Sequence, residues 1–119
     1  RQKLPEAAIC VCTYDSLEGD FDLLLNATPA GMYPHPDAMP VEEKTVRRCK
    51  AVFDAIYNPR ETMLLRTARQ NGAQCGYGMP MLVWQAAAAQ EIWNGCSFTA
   101  AQVSPVIEQA NWEMERVFQ

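Results

Sequence analysis

A chain of 119 residues has room for one domain, or part of one, with a sizeable core. Hydrophobic residues at 49% and charged residues at 20% place it with soluble globular proteins. A net charge of −4 with no basic stripe argues against a nucleic-acid partner, the apolar runs are too short to span a bilayer, and no signal-peptide n-region precedes one.

Along the chain, Ala7–Thr13 is a short apolar run of strand formers and is expected to be a buried strand. Residues 14–21 form a polar connector. Asp22–Asn26 reads as a second strand, apolar on both faces as parallel strands between helices are. It runs into Ala27-Thr28-Pro29-Ala30-Gly31-Met32, a loop of small residues at a strand's carboxyl end, where open α/β sheets bind ligands. Three prolines between Tyr33 and Pro40 rule out a helix or central strand there, and His35, the single histidine, is expected to be exposed. A short helix fits within Val41–Lys50, and Ala51–Ile56 is a third strand.

Thr62–Gln70 has the spacing of an amphipathic helix closed by Asn71-Gly72. Ala73–Cys75 is a fourth, short strand. A helix then runs from Pro80 to Trp93 and stops at Asn94-Gly95, and the last helix is expected from Ser104-Pro105, a good N-cap and first-turn pair. The five cysteines form no C-x-x-C pair, which fits reduced, mostly buried thiols in a cytosolic protein and no metal site. The chain has neither G-x-G-x-x-G nor G-x-x-x-x-G-K, so it carries no phosphate-cradling turn. Its element order implies an α/β fold with a mostly parallel sheet, but few strands to build it.

Gly76–Gln90 holds one polar side chain, Gln85, inside an apolar run. Its helical neighbours Met81, Leu82, Ala88 and Ala89 are all apolar. An amide in that setting either bonds a nearby loop carbonyl or points into a ligand site at the mouth of the helix.

Three segments together resemble the shikimate dehydrogenase family. Asn26-Ala27-Thr28-Pro29-Ala30-Gly31-Met32 is similar to its N-A-T-P-x-G-M segment. Asp54-Ala55-Ile56-Tyr57-Asn58-Pro59, followed by Glu61-Thr62 and Leu64-Leu65, resembles its D-x-x-Y-x-P-x-x-T-x-L-L block. Met81–Ala87 with Trp93-Asn94-Gly95 resembles M-L-V-x-Q-A-A…W-x-G. The resemblance implies an NADP-dependent, cytoplasmic enzyme that reduces 3-dehydroshikimate to shikimate in aromatic amino-acid biosynthesis. It also implies that residues 1–119 are only the C-terminal part of the dinucleotide-binding domain, a partial Rossmann-like fold. The family's substrate domain, its catalytic lysine and aspartate and its glycine-rich turn have no counterpart here, so no catalytic residue is assigned and the segment alone is expected to be inactive.

Carried over residue by residue, Gln85 and Tyr57 match substrate-binding positions. Thr28, Ala30, Ala55, Gly78 and Met81 match positions near the cofactor. Two residues depart from the family's D-G-x-G: Tyr77 replaces the aspartate and Pro80 the second glycine. Alternative readings are a quinate/shikimate paralogue using NAD, or a non-catalytic assembly module. In the family's strand order, residues 9–12 and 23–26 would be separated by two strands this chain lacks. They are therefore expected to pair directly, or with another copy by dimerisation or strand exchange.

Overall fold

Three short strands, all parallel and in the order β1-β2-β3, carry the rest of the molecule. The computed structural model describes residues 8–118. The strands are β1 (Phe21–Asn26), β2 (Cys49–Asp54) and β3 (Gln74–Tyr77), and the helices α1 (Glu43–Val46), α2 (Met63–Gln70), α3 (Gly78–Asn94) and α4 (Ala100–Phe118). This is the expected α/β, partial Rossmann-like arrangement.

The core lies where α1 and α2 meet the sheet. Val46, Val52, Leu64 and Ala68 are at most 1% exposed and pack with Leu65 and Cys49. α2 forms because its apolar positions recur at helical spacing and because Thr62 caps it, its hydroxyl oxygen accepting the Leu65 N–H at 3.3 Å. Its chain reverses through Gly72, whose φ of +78° suits glycine. α3 ends as its sequence implies, on Gly95 at φ +62° with the Gly95 N–H bonded to the Glu91 carbonyl at 2.9 Å.

Five expectations fail. Residues 8–13 form no strand and are exposed, Val11 to 93%; Ala7 lies outside the described residues. A short apolar run becomes a strand only against a neighbour, and β1 has β2 on one side and no strand among the described residues on the other. The direct pairing expected between residues 9–12 and β1 is therefore absent. Cys10, Cys12 and Cys96 are exposed, leaving Cys49 buried and Cys75 half-buried, so most thiols are not in the core. Nor is β1 covered on both faces, since Leu23 and Leu25 are 53% and 62% exposed.

The fifth concerns α4, which begins at Ala100, before Ser104-Pro105. The start is set by Thr99 and Gln102, half of a capping box: Gln102 Oε1 accepts the Thr99 N–H at 2.9 Å. Pro105 is carried inside the helix, where Ser104 returns a bond from its hydroxyl to the Ala100 carbonyl at 2.8 Å. No helix among the described residues is long and apolar enough to cross a membrane.

Candidate functional site

Parallel pairing brings the carboxyl ends of the three strands level: Asn26 pairs in register with Asp54, and Asp54 with Tyr77. The loop 27–32, the loop 55–62 and the first turn of α3 therefore open on one edge of the sheet. That edge is where ligands bind open α/β sheets.

A buried carboxylate ties the two loops together. Asp54 is fully buried, and its Oδ1 accepts the Asn26 Nδ2–H at 3.0 Å and the Ile56 N–H at 3.1 Å. Its Oδ2 accepts the Thr62 hydroxyl at 2.7 Å. Asn26 then shapes its own loop: Oδ1 accepts from the Thr28 hydroxyl at 2.7 Å and the Thr28 N–H at 3.0 Å, and Nδ2 reaches the Ala30 carbonyl at 3.3 Å. Gly31 follows at φ +96°, where an added Cβ would lie 3.0 Å from the Ala38 carbonyl oxygen. Asn26, Asp54 and Thr62 thus hold the site's shape. None was singled out from sequence, although all three lie within the matched segments. A partner 28 residues away, as Asn26 is from Asp54, leaves no periodic signal.

The expected site residues distribute around this edge. Thr28 and Ala30 are half-buried in the first loop, Thr28 with its hydroxyl engaged to Asn26 and to the Ala30 N–H. Ala55 and Gly78 are brought together most closely. The Gly78 N–H bonds the Ile56 carbonyl at 2.9 Å, and a Cβ on Gly78 would sit 2.0 Å from the Ala55 carbonyl oxygen. Only glycine lets α3 start that close to β2's loop. Pro80 is the third residue of α3, where its missing N–H has no partner within the helix, so this departure leaves the helix intact. Tyr57 is 37% exposed and Met81 45% exposed. Gln85 is exposed too, without a local hydrogen bond. The buried amide bonded to a loop carbonyl is thereby overturned: the face of α3 that carries Gln85 has Met81 and Ile92 on it, both open, Ile92 to 81%. His35 is exposed as expected.

Tyr77, the other departure, faces a cleft of about 580 Å³ between β3, the 57–61 loop and α4. Its hydroxyl accepts the Asn111 Nδ2–H at 2.8 Å, and the Arg60 guanidinium lies over its ring at 5.5 Å. Arg60 pairs with Glu115 at 3.6 Å, while Glu61 pairs with Arg69 and, at 3.7 Å, with Arg66. Asn111 is 2% exposed, and its Oδ1 is buried without a hydrogen-bond partner. The Cys75 thiol at the cleft wall has its pKa pushed up by burial, so it is a poor nucleophile. Small residues of the first loop and the exposed Tyr57, Met81 and Gln85 line the carboxyl ends of the strands.

No protein-family model matches the chain. The shikimate dehydrogenase (NADP(+)) of Clostridium perfringens strain SM101 is 40% identical over 86 residues, 72% of this chain and 32% of that protein. Among solved structures, a chorismate mutase/shikimate 5-dehydrogenase fusion protein from Clostridium acetobutylicum is 39% identical with a TM-score of 0.76, over 79% of this chain and 35% of that one. A shikimate dehydrogenase in complex with NADP+ is 37% identical with a TM-score of 0.64, over 75% of this chain and 31% of that one. The chain thus spans about a third of the length of the curated relative. In sequence and in fold, the chain belongs to the shikimate dehydrogenase family and corresponds to a C-terminal part of it.

Proposed function

We propose that this chain is the C-terminal part of the cofactor domain of an NADP-dependent shikimate dehydrogenase, which reduces 3-dehydroshikimate to shikimate. The carrying observation is the convergence of three separate sequence segments on the level ends of β1 and β2 and the start of α3. Thr28, Ala30, Ala55, Gly78 and Met81 would lie against the cofactor, the last three at its nicotinamide end, and the cofactor would supply the hydride. The fit rests on the exposed Met81 at the start of α3 and on the half-buried Thr28 and Ala30 in the first loop. Gln85 and Tyr57, both solvent-facing, would donate or accept hydrogen bonds with the substrate. Residues 1–119 lack the family's catalytic lysine and aspartate and its glycine-rich turn, so the isolated chain is expected to be inactive. The edge of β1, which pairs with no other strand among the described residues, supports a second property, self-association of the isolated chain by sheet extension.

The test is a graft in which this chain replaces the matching third of the Clostridium perfringens relative. A folded graft is expected to reduce NADP+ with shikimate, and the isolated chain is not. A folded graft that binds NADP+ yet leaves shikimate unoxidised contradicts the proposal.

A further inference from the structure

We propose that α4 is a clamp on the site, with Tyr77 and Asn111 as positioning residues for the substrate contacts; this rests on the dehydrogenase reading. Asn111 and Glu115 lie one helical turn apart on α4 and take hold of two neighbouring points, the Tyr77 hydroxyl at 2.8 Å and the Arg60 guanidinium at 3.6 Å. Arg60 also covers the Tyr77 ring. A third contact comes from the end of α4, where the Phe118 ring meets Tyr33 with centroids 5.5 Å apart. The Tyr33 N–H in turn bonds the Asn58 carbonyl at 3.0 Å. All three contacts lead to the loop that carries Tyr57.

The clamp also reaches the start of α3. Tyr77 directly precedes Gly78, whose N–H is bonded to the carbonyl of Ile56, the residue before Tyr57. Holding Tyr77 therefore holds both the loop of Tyr57 and the first turn of the helix that presents Gln85. Packing alone does not call for an asparagine here. Within α4 only Val103 and Asn111 are buried, and Asn111 leaves one amide oxygen unpaired where an apolar side chain would incur no such cost. What the asparagine adds is direction, a single bond that sets where the Tyr77 hydroxyl points. Arg60 and Glu115 are each about half exposed, so their pair is the weaker arm.

Tyr77→Phe removes the hydroxyl and keeps the ring under Arg60; Asn111→Leu removes the amide and keeps the packing. In the grafted enzyme each is expected to raise the KM for shikimate about two- to tenfold, the worth of one neutral hydrogen bond. The double variant is expected to be no worse than the worse single one, because both lose the same bond. In the 119-residue chain itself, amide hydrogen exchange at Ile56 and Gly78 is expected to quicken about two- to tenfold in both variants, while that of Leu65 and Ala68 in α2 stays unchanged. An unchanged KM in an active graft, or exchange that quickens equally everywhere, overturns the clamp. A graft that never oxidises shikimate overturns the dehydrogenase reading instead, and the exchange experiment still decides whether α4 holds the loop.

Discussion

At the scale of single residues, the site's loops are held by buried hydrogen bonds within the chain. Asp54 accepts three hydrogen bonds with no exposure to water, and each donor, from Asn26, Ile56 and Thr62, begins or ends a loop of the site. Replacing it with leucine strands those donors, so Asp54→Leu is expected to destabilise the chain by about 2–4 kcal/mol in urea unfolding. A loss of only a few tenths would mean that water replaces the carboxylate freely. Gly78 has a different reason to be itself, because its neighbour is backbone. Gly78→Ala drives a methyl into the Ala55 carbonyl, which cannot rotate aside as a side chain does. A cost of about 1–3 kcal/mol is expected, together with weaker NADP+ binding in the grafted enzyme. Unaltered stability would show that the loop yields.

At the scale of elements, the strands β1 to β3, α2 and the end of α3 were legible because each is written locally. Asp22–Asn26 and Ala51–Ile56 are apolar runs bounded by turn residues, and α2 has its cap and its glycine in place. The rest depended on what lies beside the element. Residues 8–13 look like a strand but pair with none among the described residues. Ser104-Pro105 looks like a helix start until Thr99 and Gln102 cap the chain earlier. The cysteines follow the same division. Cys49 is buried in β2, its thiol donating to the Thr45 carbonyl at 3.2 Å, and burial pushes its pKa above the ordinary thiol range. Cys10, Cys12 and Cys96 are expected to react rapidly with a thiol reagent in the folded chain, and Cys49 only on unfolding. The sign for stability follows. A thiol whose folded pKa is raised stabilises the fold below the unfolded thiol pKa, and that contribution is lost as pH rises through the folded value. Rapid native-state labelling of Cys49 would contradict its place in the core.

At the scale of the molecule, two surfaces are unlike those of a finished domain. β1 leaves one edge unpaired among the described residues, with Leu23 and Leu25 open, and α3 exposes Met81, Trp84, Ile92 and Trp93. A parallel sheet and an apolar helix are both normally covered. A chain that spans about a third of its curated relative has a simple physical reason to leave them bare. On its own it is expected to associate as concentration rises, and Leu25→Lys to reduce that association in sedimentation experiments; a monomer at every concentration would contradict the sheet-extension account. Gln85 is the part of the site that the sequence and the fold describe differently. Its apolar neighbours suggest a buried amide, yet Met81 and Ala88 beside it are exposed, so the amide faces outward with no hydrogen-bond partner among the described residues. The most direct measurement is therefore the shikimate KM of the grafted enzyme with and without Gln85→Leu. The account expects a rise of about two- to tenfold, the worth of one neutral hydrogen bond, with thermal stability unchanged because the side chain is exposed. An unchanged KM would contradict it.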